Sequence, residues 1–205
     1  MKKQHFSMLR EFALADVLTL LNAACGTVSI FLCLNYLEER DPKWLWMAFV
    51  LLPTALVCDA LDGWVARKRQ KWSRIGADLD SLSDVVSFGV APAVLGFTLG
   101  MRGFWDVVVL VFFVCCGISR LARFNVTAVE MADDSGKVTH FEGTPIPTSL
   151  VLVIVLGIWF FGATPGTELW GGEYTFLGLE FHPLVLMYAA SGSAMISSTL
   201  RIPKP

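Results

Sequence analysis

Long apolar runs separated by short polar segments organise this chain. Six of them, near residues 17–37, 44–66, 81–100, 104–125, 146–163 and 182–199, approach the ~20 residues a helix needs to cross a bilayer. They predict six transmembrane helices. Ahead of them, residues 1–15 mix charge with Phe6, Met8, Leu9, Phe12 and Leu14, which predicts a short amphipathic helix at the membrane interface. No cleavage-site pattern of a secretory signal precedes the first run. With no internal repeat or low-complexity linker, one all-α integral membrane domain over 1–205 is expected.

Composition agrees. Hydrophobic residues make up 55% of the 205, above the ~45–50% apolar share of soluble domains, and the mean hydropathy is +0.60. The net charge of −2 says little about partners, and no nucleic acid is expected among them. Five cysteines (Cys25, Cys33, Cys58, Cys115, Cys116) lie in apolar runs without metal-ligand spacing and read as buried free thiols. His5, His140 and His182 read as ordinary loop or interface residues. The tryptophans at 44, 46, 105, 159 and 170 suit an aromatic belt.

Basic residues set the expected orientation. An even number of spans puts thirteen of the sixteen Lys and Arg on one side, leaving Arg40, Lys43 and Arg102 on the other. The positive-inside rule makes the first side cytoplasmic. The segment 164–181 carries Glu168, Glu173 and Glu180 and no Lys or Arg, which suits the far side.

Four acids stand out against this apolar background. Asp59 and Asp62 are three apart; Asp80 and Asp84 are four apart. On helices each pair shares one face. Carboxylates at membrane depth are costly, and four converging would repel unless hard cations such as Mg²⁺ or Mn²⁺ sat between them. Asp59, Asp62, Gly63, Ala66 and Arg67 fall on one helical stripe, on which the small residues leave room for a ligand and Arg67 can fork onto phosphate. A metal-bridged pyrophosphate fits such a site. Asp78 lies off the pattern and reads as a solvated acid. Lys68, Arg69, Lys71 and Arg74 read as a headgroup-facing patch, some of which could hold the pyrophosphate.

The pattern D-x₂-D-G-x₂-A-R-x₈-G-x₃-D-x₃-D is filled at every position by Asp59, Asp62, Gly63, Ala66, Arg67, Gly76, Asp80 and Asp84. It resembles the signature of the CDP-alcohol phosphotransferases. The resemblance implies six transmembrane helices, two divalent cations (Mg²⁺ or Mn²⁺) and a CDP-linked donor. It makes Asp59, Asp62, Asp80 and Asp84 metal ligands, with Asp84 also a general base or a ligand alone. It lines the CDP site with Asp62, Gly63, Ala66, Arg67 and Gly76, and Arg74 is added to that set.

Other stretches bear on the acceptor: Leu18–Asn22, Leu82–Pro92, Cys116–Thr127, Phe141–Pro147 and Arg201–Pro205. They resemble the CDP-diacylglycerol-dependent phosphatidylserine synthases, nearest the fungal branch. That resemblance implies CDP-diacylglycerol and L-serine as substrates, a homodimer or higher homo-oligomer, and a place in the endoplasmic reticulum membrane. Serine carries a carboxylate that asks for a cation near the reacting hydroxyl. Arg120 and Arg123, three apart near the end of the fourth run, are the candidates. Arg123 is the preferred partner, with Phe124 and Asn125 shaping the pocket. Arg120 could instead hold the donor phosphate, and either Arg could snorkel to headgroups. Asn22 could reach the nucleotide or make an interhelical hydrogen bond. The segment 141–147 reads as an ordered loop re-entering the fifth span. The nearest rival is a sibling enzyme using glycerol 3-phosphate or an inositol acceptor. A channel or transporter would spread its acids along the membrane depth, and a silent scaffold would have no use for Asp80 and Asp84.

Overall fold

In the computed structural model, residues 14–69, 76–133, 140–162, 169–197 and 201–203 are described. The first run forms α1 (Leu14–Glu39), which ends where Arg40 turns into the left-handed region (φ 57°) and its N–H meets Tyr36 O at 2.9 Å. Asp41 then caps α2 (Pro42–Arg69): its Oδ1 accepts from Lys43 N at 3.0 Å, and Pro42 occupies the first helical position, where a missing N–H costs nothing. The Lys43 ammonium, 2.8 Å from Asp41, hydrogen-bonds its carboxylate and holds it below the usual carboxylate range. So tight a turn sets α1 and α2 side by side as an antiparallel pair.

The third run is one continuous helix with a change of pitch inside it. α3 (Gly76–Asp84) passes into a π-helical stretch, Val85–Val90, and then into α4 (Ala91–Leu99). Ala91 N–H reaches back to Val86 O, the five-residue step of a π turn. The wide turn brings Ser87 against α1, where Gly26 leaves no room for a side chain: a Cβ there would lie 2.5 Å from Ser87 Oγ. α5 (Phe104–Asp133) follows. Inside the bundle, Tyr188 donates to Pro92 O (2.7 Å) and packs edge-on to Phe113 at 5.2 Å, with Phe88, Leu95 and Ile146 buried nearby.

Among the described residues, four helical segments are long and apolar enough to cross a membrane: Leu14–Glu39, Pro42–Ala66, Gly76–Leu99 and Phe104–Val126. The third starts at Gly76 rather than near residue 81, so Asp80 lies within it. The fifth and sixth runs give shorter apolar helices, Ile146–Gly162 and Pro183–Ile196. At 1.5 Å per residue they measure ~25 and ~20 Å, short of the ~30 Å hydrocarbon core. Both open with a 3₁₀ turn, Ile146–Ser149 ahead of α6 (Leu150–Gly162) and Pro183–Val185 ahead of α7 (Leu186–Ile196), because prolines fix the entry. The expected interfacial helix over 1–15 lies outside the described residues except for Leu14 and Ala15, which begin α1.

The class is predominantly helical, and the described residues include two small ribbons that the all-α expectation left out. β1 (His140–Glu142) pairs antiparallel with β4 (Arg201–Pro203), which ties the segment before α6 to the tail. Beyond it Gly143 (φ 74°) presses on Met195 O, and Thr144 N–H donates to Ala194 O at 3.2 Å, so the expected loop is seated on the end of α7. β2 (Tyr174–Phe176) and β3 (Leu179–Phe181) form a hairpin between α6 and α7.

Candidate metal centre

The end of α2 and the start of α3 bring the acids together. Asp59, Asp62 and Asp80 each present an oxygen, and the three atoms lie within 4.8 Å of one another. Helical spacing explains Asp59 with Asp62; the packing of both helices on α1 brings in Asp80. Three like charges at this separation in a low dielectric repel strongly. Asp80 Oδ1 is buried and accepts no hydrogen bond from the described residues. A buried oxygen left without a donor is costly, and an all-carboxylate set suits a hard divalent cation. The residues therefore fit the metal that the acid spacing implied.

α1 holds two of the acids from residues one helical turn apart. Thr19 Oγ1 donates to Asp62 Oδ2 at 2.7 Å, and Asn22 Nδ2 donates to Asp84 Oδ1 at 3.1 Å. Asp62 and Asp84 are only 6% and 7% exposed. Asn22 is itself fixed by its carbonyl, which accepts from Ser87 Oγ of the π turn at 2.8 Å. Of the alternatives for Asn22, the interhelical hydrogen bond is thus present. Asp84 is not one of the close triad, and one of its oxygens is already engaged by Asn22.

α5 closes the other side. Asn125 Oδ1 accepts from Ser81 Oγ at 3.1 Å, which docks the far part of α5 against the turn between Asp80 and Asp84. Arg120 is half-buried, lies within the field of Asp84, and stacks over the Phe124 ring at 5.4 Å. Arg123 and Phe124 are more exposed. Gly63, Ala66 and Gly76 are partly buried on α2 and α3. The Arg67 side chain and all of Arg74 lie outside the described residues.

Thr19, Ser81 and Ser87 were not legible as site residues, since each is a common helix-packing polar residue until its partner is known. His182, expected to be an ordinary loop or interface residue, pairs with the buried Asp106 at the opposite end of α5, Nδ1 to Oδ2 2.6 Å.

Thr19→Val removes the donor to Asp62 while keeping the side-chain shape. It is expected to weaken Mn²⁺ affinity about 10- to 100-fold, as loss of an outer hydrogen bond to a ligand does. Thr19→Ser should recover most of it. Titrating Mn²⁺ by electron paramagnetic resonance checks this; unchanged affinity in the valine variant would make the contact a packing detail.

A family model described as CDP-alcohol phosphatidyltransferase matches residues 12–190. The chain is 42% identical to a CDP-diacylglycerol–serine O-phosphatidyltransferase of Saccharomyces cerevisiae, covering 99% of this chain and 75% of that protein. It is 40% identical to an archaetidylserine synthase of Methanothermobacter thermautotrophicus over 69% of this chain and 56% of that one. A CDP-diacylglycerol–serine O-phosphatidyltransferase of Helicobacter pylori is 32% identical over 85% of this chain and 68% of its own length.

Proposed function

The chain belongs to the CDP-alcohol phosphatidyltransferase family, and we propose that it transfers the phosphatidyl group of CDP-diacylglycerol to the hydroxyl of L-serine, releasing CMP. Near full-length similarity to the yeast enzyme, whose name specifies serine, carries the choice of acceptor. The acid cluster supplies the chemistry.

Asp59, Asp62 and Asp80 would hold divalent cation, Mg²⁺ or Mn²⁺, with Asp84 at the margin of the set. Bound there, the cation neutralises the pyrophosphate and the charge that develops on CMP. Asp84 takes the proton of the serine hydroxyl. The serine oxygen forms a new bond to the phosphorus nearest the diacylglycerol, the bond from that phosphorus to the bridging oxygen breaks, and CMP leaves with that oxygen. Asn22 fixes the Asp84 carboxylate so that its second oxygen serves this role. Gly63, Ala66 and Gly76 give the cytidine close approach to α2 and α3, while Arg67 and Arg74 bind the donor phosphates.

Arg123 pairs with the serine carboxylate, and Phe124 and Asn125 shape its pocket; the half-buried Arg120 orders the site from beside Asp84. Arg123→Ala should raise KM for serine roughly 10- to 100-fold, the cost of a charge-assisted hydrogen bond of about 1.5–3 kcal/mol, with little change for the donor. Saturation curves in each substrate test this, and a rise confined to the donor would move Arg123 to the phosphate side.

We read the chain as one six-span domain with an interfacial N-terminal helix, a homodimer, with the acids on the cytoplasmic face of the endoplasmic reticulum membrane. The basic clusters flanking the acids support that orientation. The deciding experiment measures Mn²⁺-dependent CMP release by the purified chain from CDP-diacylglycerol with L-serine, glycerol 3-phosphate or inositol. Release with serine alone is expected. Release with another acceptor would leave the metal centre standing and overturn the acceptor.

A further inference from the structure

At the opposite end of α5 from the acids, the β2–β3 hairpin carries the most exposed large apolar side chain among the described residues, Leu177 at 78%. Leu177 and Gly178 form a two-residue turn with both φ values positive, 53° and 78°. That is the I′ geometry in which Asn, Asp or Gly is favoured first. A leucine there costs about 1–2 kcal/mol in backbone strain, and at the tip it has no protein core to fill. The register places Tyr174, Phe176, Leu179 and Phe181 on one face and Thr175 and Glu180 on the other. Tyr174 and Phe176 are each 60% exposed.

A two-stranded hairpin alone is marginal in water, yet this one is clamped to the first turn of α5. Trp105 Nε1 donates to Phe176 O at 3.1 Å, and the two rings lie 5.9 Å apart. Gly103 lies so close to Glu180 O that any side chain there would collide. Buried Asp106 accepts from His182 N at 2.9 Å and Gly103 N at 3.0 Å, and pairs with the His182 ring. The clamp fixes the height of the hairpin at the end of the candidate span Phe104–Val126. Trp105 and Asn125 are ~30 Å of helix apart, so this is the other side of the bilayer from Asp80. The span to which the hairpin is clamped begins with exposed apolar side chains at Phe104, Val107, Val108 and Val111.

We propose that the β2–β3 hairpin is a membrane-inserting anchor that seats Leu177, Tyr174 and Phe176 at the headgroup–acyl boundary of the leaflet opposite the acid cluster. Tyr and Trp suit that depth. Segment 164–181 has no Lys or Arg, so apolar burial drives the insertion and anionic lipid does not. The occupant is the lipid of that leaflet, since the hairpin's exposed apolar side chains are clamped at the end of a candidate span whose first turns also expose apolar side chains.

The test places a nitroxide on Leu177→Cys of the full chain, with its five native cysteines replaced and activity checked, in phosphatidylcholine vesicles. Collisions with oxygen are expected to exceed those with a water-soluble nickel complex, and Thr175→Cys should show the reverse. Adding anionic lipid should change neither. A second arm leaves the cysteines in place: Leu177→Trp should add fluorescence that lipids brominated near the headgroup quench more than lipids brominated deep in the chain. Preferential nickel collision, or a label reached by neither reagent, would overturn the proposal, the second by pointing to a protein partner. A tryptophan at 177 that bromolipids do not quench would overturn it as well.

Discussion

Asp84→Asn is expected to lower serine-dependent CMP release by about a hundred- to ten-thousand-fold, the range that a positioned general base contributes. The substitution keeps the shape, and its amide oxygen can still accept from Asn22 Nδ2, the 3.1 Å contact that holds the native side chain. What disappears is the ability to take a proton. The close oxygen triad of Asp59, Asp62 and Asp80 does not include Asp84, so Mn²⁺ affinity and CDP-lipid binding should stay near their native values. Turnover and Mn²⁺ affinity measured on the same preparation separate the two roles left open for this residue. Turnover lost with affinity kept identifies the base. Both lost together would make Asp84 a metal ligand first. Turnover kept would remove it from the chemistry.

The acids, their helical faces and the first four spans could be read from residue order because they rest on local periodicity. Asp59 and Asp62 share a face on any helix, and runs of ~20 apolar residues leave few alternatives. Contacts between residues distant in sequence do not announce themselves in this way. Thr19 and Asp62 are 43 residues apart, Asn22 and Asp84 62, and His182 and Asp106 76. The π turn at Val85–Val90 has no compositional mark; what it sets up is a tertiary contact, the close approach of Ser87 to Gly26. The fifth and sixth runs give shorter helices than the first four because prolines spend their first turn as 3₁₀ helix, which hydropathy does not register. The hairpin did leave a signal. Tyr174, Phe176, Leu179 and Phe181 alternate with polar residues around Leu177-Gly178, the period-two pattern with a glycine turn. An α-helical reading of the whole chain passed over it.

Asp80→Asn should produce the other large effect, with opposite signs in the presence and absence of metal. Without cation, the native site holds three carboxylates whose oxygens crowd within 4.8 Å, and removing one charge relieves that repulsion. The metal-free variant is therefore expected to melt at the same temperature as the native protein or higher. With cation, the native protein gains RT ln(1 + [M]/Kd), about 2.7 kcal/mol at a hundred times Kd; the variant should gain almost nothing. Its loss of Mn²⁺ affinity should exceed the roughly 10- to 100-fold expected when only an outer hydrogen bond is removed, so Asp80→Asn and Thr19→Val rank in that order. Thermal melts across a Mn²⁺ titration read both signs in one experiment. Asp80 Oδ1 gives the physical reason for the ranking: among the described residues it has no donor to satisfy it, whereas Asp62 has Thr19 as a donor. A variant that melts lower without metal yet keeps the Mn²⁺-induced shift would make Asp80 a structural acid and leave Asp59 and Asp62 without their third ligand.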